Sequence, residues 1–226
     1  MQAEPNITWK ELTKFVGQLS HDLRNHLNAV ELQAAYLSEI AAAPEAKGEI
    51  GRLREMTGEM NAHMQRLSAL LARIRPTTMR YLATEFVEDL RAKAGMEKPE
   101  LAAEVEWHVS LGEEALEIDP HLLQEAFLEL LTNAAMHGRG EGALVFEARC
   151  EGESVEFVLR EPKAKFEGTT ENWGGRPLAR LRSGHYGLGL YRARGIFEAH
   201  HGKLRAEFNP TTSTLVTTVS LPLLIS

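Results

Sequence analysis

Hydrophobic residues recur with the period of an α-helix over most of the first 76 positions of the chain. Between residues 8 and 42 there is no proline and only one glycine, Gly17. The segment APEAKG at 43–48 is predicted to break this helix, and a second helical run begins near Ile50 and ends at Pro76. At 100° per residue, one apolar stripe of the first helix lies within about 20° of the direction opposite His21 and consists of Leu12, Leu19, Leu23, Val30 and Leu37.

Two long helices joined by a short break form a helical hairpin, whose apolar stripes two helices alone cannot cover. We therefore predict that a second copy of the chain completes a four-helix bundle, which makes the protein a homodimer. The alternative is that the hairpin packs against the rest of its own chain. The stripes run along the whole length of both helices, and this favours the bundle.

Beyond Pro76 the pattern changes to a mixture of helices and strands. Helices are predicted at 83–94, 120–137 and 187–201, and strands at 104–111, 142–150, 153–160, 203–208 and 213–221. Residues 161–184, rich in Gly, Pro, Lys and Thr, are predicted to form a loop. The fold class is thus α+β, with a helical hairpin at 1–76 followed by an α/β sandwich at 77–226.

The composition limits the environment and the partners of the protein. With 43% hydrophobic and 25% charged residues, the 226-residue chain can build a core in each of two domains. Its one cysteine, Cys150, cannot form an internal disulfide, and no Cys/His spacing resembles a zinc site. No apolar run approaches the roughly 18 residues of a membrane span, and no signal peptide is evident. We expect a cytoplasmic protein without membrane attachment.

The charge distribution argues against nucleic acid as a partner. Residues 1–76 carry nine Lys/Arg and nine Asp/Glu, so the net charge of −7 falls on residues 77–226. An acidic chain without a basic tract cannot neutralise many phosphates.

The first candidate site is the segment SHDLRNHLN at 20–28. His21 lies opposite the apolar stripe, with Asn25 one turn away on the same face and Asp22 next to it. A carboxylate that holds one ring N–H leaves the other ring nitrogen nucleophilic, as attack on a phosphoryl group requires. The alternative is an ordinary surface histidine. His26, on the flank of the stripe, is predicted to be partly buried.

The same face of the helix carries apolar side chains where water is expected. Leu32 and Tyr36 lie below His21, beside Asn28. Apolar groups in line with a reactive histidine predict a surface on which a partner docks. Scattered apolar residues on a protein surface are also common.

Two further segments contain the chemistry of a phosphate and metal site. Glu129 and Asn133 lie four residues apart on one face of the predicted helix 120–137, where a carboxylate and an amide can hold a hydrated magnesium ion. Gly187 and Gly189 open the predicted helix at 187–201, whose first N–H groups can hold phosphate oxygens. The alternative for the first pair is an ordinary helix with a polar edge.

Taken in this order, the segments resemble the motifs of two-component sensor histidine kinases, and of phosphotransferases derived from them. SHDLRNHLN resembles the H box, LLTNAAMHG at 130–138 the N box, and GLGL at 187–190 with AHHGKL at 199–204 the second glycine box and its helix. The resemblance covers nearly the whole chain. It implies a dimerisation and histidine-phosphotransfer hairpin followed by an ATP-binding domain of the Bergerat type.

The resemblance also implies a role for individual residues. His21 would be the phosphoacceptor, Asp22 its acid/base partner, and Asn25 the residue of the phosphatase position. ATP and magnesium would be bound through Asn133 and Glu129 as metal ligands, and through His137, Glu161, Gly187, Leu188 and Gly189. The partners would be a second copy of the chain, a response-regulator receiver domain, and an upstream kinase or regulator in a relay.

One motif departs from the family. Where the first glycine box has Asp-x-Gly-x-Gly, this chain reads EPKAK, so Glu161 replaces the adenine-reading Asp, and Lys163 and Lys165 replace both glycines. A longer carboxylate and two added Cβ atoms predict a weakened adenine pocket. His185 also stands where the second box usually begins with Gly.

Three functions are therefore compared. The sequence slightly favours a histidine kinase of low ATP affinity, with an ATP-independent phosphotransferase or response-regulator phosphatase as the alternative. A non-catalytic dimeric scaffold is the third.

Overall fold

The computed structural model describes residues 8–166, 169–178 and 187–224. The chain divides into two compact units, Met1–Arg73 and Ile74–Ser226. His185 lies outside the described residues. The α+β fold class is confirmed, with a helical first unit and a mixed sheet with helices in the second.

The first unit is a hairpin of two long helices, α1 (Trp9–Ile40) and α2 (Pro44–Leu71). Thr8 and Glu11 form a capping box that starts α1. The predicted break at 43–48 is too long, because α2 already begins at Pro44. Proline is favoured in the first turn of a helix, where its missing N–H costs no hydrogen bond.

The face of α1 that packs on α2 lies beside the apolar stripe rather than along it. Ser20 and Ala34 are the buried residues of α1, and the ion pair between Arg54 and Glu31 links the helices at 2.7 Å. The stripe itself stays partly uncovered, with four residues 41–44% exposed: Leu19, Leu23, Val30 and Leu37. His26 is exposed as well, so its predicted burial is wrong for the single chain, because α2 leaves the stripe that it flanks partly uncovered.

The second unit contains the predicted helices and strands and three short elements besides. In chain order these are β1 (Met79–Leu82), α3 (Ala83–Glu97), α4 (Pro99–Ala103), β2 (Val105–Ser110), β3 (Ala115–Ile118), α5 (Pro120–Met136), β4 (Leu144–Glu151), β5 (Ser154–Pro162), α6 (Gly189–Ala199), β6 (Lys203–Asn209) and β7 (Thr214–Pro222). The sequence analysis missed β1, β3 and α4. The first two pair with each other as a small antiparallel sheet.

The other five strands form one sheet of order β2-β4-β5-β7-β6. The β2 and β4 strands are parallel, and the remaining pairs are antiparallel. Alternating residues of β4, β5 and β7 are buried against the helices, whereas the opposite face carries ion pairs such as Arg160–Glu147 at 2.8 Å.

Phe127 on α5 fixes that helix in the core. Its ring lies 5.0–5.8 Å from four other aromatic rings, those of Phe86, Phe146, Phe157 and Phe197. Asp119 caps the start of α5 by accepting a hydrogen bond from the Leu122 N–H. This packing determines where Glu129 and Asn133 are placed.

Within the described ranges, no helix combines the length and apolar character that crossing a membrane requires.

Candidate functional site

His21 lies on the exposed face of α1 and is contacted from two sides. Its side chain is 64% exposed, and its Nδ1 atom is 3.3 Å from Asp22 Oδ1 and 3.4 Å from Asn25 Nδ2. Gln18 Nε2 donates to the same Asp22 oxygen at 2.9 Å and holds the carboxylate in place. The carboxylate of Asp22 can accept only from a protonated Nδ1, whereas the Asn25 amide nitrogen can donate only to an unprotonated one, so the two contacts belong to different tautomers. Both are made at Nδ1, and this leaves Nε2 for a reacting group.

The predicted docking face is exposed below His21. Leu32 is 72% exposed and Tyr36 57%, and Asn28 accepts a 3.4 Å hydrogen bond from Asn61 on α2. These three residues share a face of α1 with His21, because they follow it at helical spacing. The two apolar side chains therefore lie on the same face of α1 as the imidazole, 11 and 15 positions farther along the helix.

Glu129 and Asn133 lie against the start of α6. Asn133 Nδ2 donates to Glu129 Oε1 at 3.1 Å across one helical turn of α5. A Cβ on Gly189 would overlap the Glu129 carboxylate, so any larger residue there would displace this side chain. Gly187, with φ of +62°, forms the turn before α6, and Leu188 is buried as its N-cap residue. The structure thus brings together two motifs that are more than 50 positions apart in the chain.

At the end of β5, Glu161 and Lys163 form a buried ion pair. The two residues are 4% and 7% exposed, and Lys163 Nζ lies 2.7 Å from Glu161 Oε2. The same ammonium donates to the backbone carbonyl of His137, the residue that ends α5, at 2.6 Å. Burial raises the pKa of Glu161, and the nearby charge of Lys163 opposes this rise. We call this set of contacts the lysine bridge.

The backbone beside the lysine bridge is paired with the loop that follows α5. Gly140 N–H donates to the Pro162 carbonyl at 2.8 Å, and Ala164 N–H donates to the Gly138 carbonyl at 3.0 Å. A Cβ on Gly138 or Gly140 would lie 2.8 Å from backbone atoms of the facing segment. The close approach that demands glycine is therefore on the loop side.

This pairing corrects one prediction. The Cβ atoms of Lys163 and Lys165 were expected to penalise the backbone path, yet neither lysine is among the described non-glycine residues with positive φ. The path is unstrained because Gly138, with φ of +65°, and Gly140 supply the space from the opposite side. The change in this segment lies instead in the side chain of Lys163, which forms the lysine bridge.

The predicted site residues thus form two groups, each within one unit. His21, Asp22 and Asn25 form the first group, together with the docking face below them. In the second group, Glu129 on α5 lies beside Gly189 at the start of α6, and Lys163 joins Glu161 at the end of β5 to the end of α5. Sequence reasoning missed the bond between Lys163 and the His137 carbonyl. The available signal was that Lys163 follows Glu161 by two positions at the end of a buried strand. A buried ammonium needs a partner.

Comparisons with known proteins place the chain among relatives of one kind. No model of a known protein family matches it. In sequence it is 25% identical over 202 residues to the sensor histidine kinase SpaK of Bacillus subtilis. The aligned region covers 84% of this chain and 43% of SpaK.

Solved structures resemble the fold. Full-length ShkA in complex with AMPPNP matches with a TM-score of 0.70 and 16% identity over 94% of this chain and 46% of ShkA. The mycobacterial sensor histidine kinase MprB matches with a TM-score of 0.52 and 18% identity over 65% of this chain and 98% of MprB. The catalytic domain of the histidine kinase ThkA matches with a TM-score of 0.52 and 16% identity over 64% of this chain and 95% of that domain. The chain therefore spans less than half the length of SpaK and of ShkA.

Proposed function

We propose that this chain, a relative of the two-component sensor histidine kinases, carries a phosphoryl group on His21 and exchanges it with the aspartate of a response-regulator receiver domain. The observation that carries the proposal is the geometry of His21. The ring is exposed, and Asp22 and Asn25 both meet Nδ1, so that Nε2 is the available nucleophile.

The neighbours of His21 have distinct chemical tasks. When Nδ1–H donates to Asp22, the Nε2 lone pair is free to attack phosphorus. The N–P bond then forms as the bond from phosphorus to its leaving oxygen breaks, and the Asp22 carboxylate stabilises the positive charge that develops on the ring. In a separate phosphatase reaction, the Asn25 amide would orient a water that attacks the phosphorus of the receiver's aspartyl phosphate, with the aspartate carboxylate as the leaving group. Gln18 keeps Asp22 in position through its 2.9 Å bond.

In the forward reaction the phosphoryl donor is ATP, bound by the second unit. The phosphate and magnesium end fits the residues present, since Glu129 and Asn133 offer oxygen ligands beside the first N–H groups of α6. Magnesium would neutralise phosphate charge there and take its remaining ligands from waters and phosphates. No three His, Cys, Asp or Glu side chains of the described residues form a ready metal site.

The adenine end fits poorly. The carboxylate of Glu161, which stands where the family reads the base, is already paired with Lys163. We therefore propose a histidine kinase with weak ATP affinity.

The lysine bridge favours a second candidate function, an ATP-independent histidine phosphotransferase or response-regulator phosphatase. In that case His21 receives its phosphoryl group from an upstream kinase or regulator. The chemistry at His21 is the same, and only the source of the phosphoryl group differs.

A homodimer and a receiver domain are the proposed partners. The apolar stripe of α1 is only partly buried by α2. A second copy of the chain would cover the rest of this stripe in a four-helix bundle. The receiver domain is proposed to dock on Asn28, Leu32 and Tyr36, which would bring its aspartate to His21.

The proposal is tested by phosphoryl exchange with a labelled, phosphorylated receiver domain. The full chain should take up an acid-labile label, and His21→Gln should abolish the uptake while circular dichroism stays unchanged. His26→Gln is the matched control, since His26 is another exposed histidine five positions along the same helix. Uptake that survives in His21→Gln contradicts the assignment.

A further inference from the structure

The lysine bridge places a positive charge in the part of the domain that should read a base. Lys163 Nζ lies 2.7 Å from the Glu161 carboxylate and 2.6 Å from the His137 carbonyl, and both acidic and basic side chains are almost completely buried. An ammonium group has three donors and no acceptor. One of them is donated to the His137 carbonyl at the end of α5. The contact with Glu161 at the end of β5 is an ion pair, and Glu161 Oε2 accepts no hydrogen bond from the described residues.

We propose that the lysine bridge closes the adenine subsite, so that this domain does not distinguish adenine from other bases. The proposal rests on the nucleotide site described above. The exocyclic amine of adenine is a donor and needs an acceptor. Glu161 is the acceptor at this position, and the bridge places beside it an ammonium that can only donate, as the adenine amine does. Any nucleotide would then be held through its phosphates alone.

The backbone around the bridge keeps Lys163 in place. The Lys163 N–H donates to the Ser213 carbonyl at 2.8 Å, which fixes the residue to the chain just before β7. On its other side, Arg139 and Lys163 face each other in an isolated antiparallel bridge between Gly138 and Gly140. Because the backbone is held from both sides, the side chain reaches the His137 carbonyl without displacing either segment.

Lys165, the other lysine of the motif, provides a matched control. It is exposed, whereas Lys163 is buried, and it is not part of the lysine bridge. If the replacement of the two motif glycines by lysine weakened the adenine pocket, Lys163 and Lys165 would both lower its affinity for adenine. If the lysine bridge weakens the pocket, only Lys163 lowers that affinity.

Calorimetry on the full chain with magnesium and ATP, GTP or inorganic triphosphate tests the proposal. Wild type should bind ATP no more than about threefold more tightly than GTP or triphosphate. In Lys163→Met the Glu161 carboxyl is freed, and one restored hydrogen bond should give ATP an advantage over GTP of about tenfold. Lys165→Gly should behave as wild type.

Lys163→Met leaves Glu161 buried without its partner, which is costly to folding. A second variant, Glu161→Gln with Lys163→Met, is neutral, and its amide can pair with adenine. Because the amide can also donate to the guanine O6 atom, this variant should bind both ATP and GTP more tightly than triphosphate. The proposal is overturned if wild type prefers ATP by more than about threefold, or if the folded variants bind ATP no more tightly than triphosphate. Exchange between His21 and a phosphorylated receiver needs no nucleotide, so its loss would count against the proposed function and not against the closed subsite.

Discussion

The most informative prediction about assembly concerns Leu23 on the uncovered stripe of α1. In the single chain Leu23 keeps 41% of its surface exposed. A proposed second copy of the chain would bury this exposed part of the Leu23 side chain. The substitution Leu23→Ala removes the apolar surface that would be buried. The hairpin itself should persist, because its own interface is built on the neighbouring face around Ser20 and Ala34.

The magnitude follows from the exposed fraction. Full burial of a leucine side chain contributes roughly 1.5 to 3 kcal/mol, so covering two fifths of it contributes about 0.6 to 1.2 kcal/mol. A two-fold dimer contains the contact twice, which gives about 1.2 to 2.4 kcal/mol. The dimer Kd should therefore rise roughly 10- to 50-fold. This is less than the cost expected for a fully buried leucine, because α2 already covers part of Leu23.

Sedimentation equilibrium over a concentration series measures this Kd. The control is Leu32→Ala, which removes the same atoms from the docking face and should leave the dimer unchanged. A wild-type chain that is monomeric at micromolar concentration, or equal effects of the two variants, would refute the reasoning.

Three further predictions concern docking, metal and stability. Leu32→Asp and Tyr36→Ala should each slow phosphoryl transfer to the receiver about tenfold, and unchanged stopped-flow rates would show that this surface is not used. Asn133→Ala should weaken magnesium-dependent triphosphate binding about tenfold by calorimetry, with no effect on binding measured in EDTA. Asp119→Ala should cost about 1 kcal/mol at pH 7 by urea unfolding, through loss of the α5 cap.

The pH dependence of Asp119→Ala follows from the pKa of Asp119. Burial acts to raise this pKa, but hydrogen bonds from the Thr77 and Leu122 N–H groups outweigh burial and lower it. A lowered folded pKa stabilises the protein above the ordinary value of about 3.9, and the contribution is lost as the pH falls through the folded pKa. The free energies of unfolding of wild type and Asp119→Ala should therefore become more similar as the pH falls into the acid range. A difference that stays constant with pH would contradict this.

The sequence was most informative where one pattern repeats over many residues. The helices α1, α2 and α5 carry long periodic stripes, and their spacing identified them. The strands β1 and β3 have four residues each, too few for a period to emerge. They are stabilised by pairing with each other across more than 30 positions, which no local pattern reveals.

The same limit applies to the site. Helical spacing alone placed Asn25 beside His21 and Asn133 beside Glu129, because each pair lies within one or two turns. The lysine bridge joins Lys163 to the carbonyl of His137, 26 positions away, and depends on how β5 lies against the end of α5. Sequence reasoning detected the unusual lysine, but assigned its effect to the backbone rather than to its side chain.

Incubation with labelled ATP and magnesium tests whether His21 carries a phosphoryl group. After incubation of the full chain with labelled ATP at micromolar and at millimolar concentration, the retained label is challenged with acid and with base. We expect an acid-labile, base-stable label that is absent from His21→Gln and grows between the two concentrations. An acid-stable label, or one that persists in His21→Gln, would contradict it.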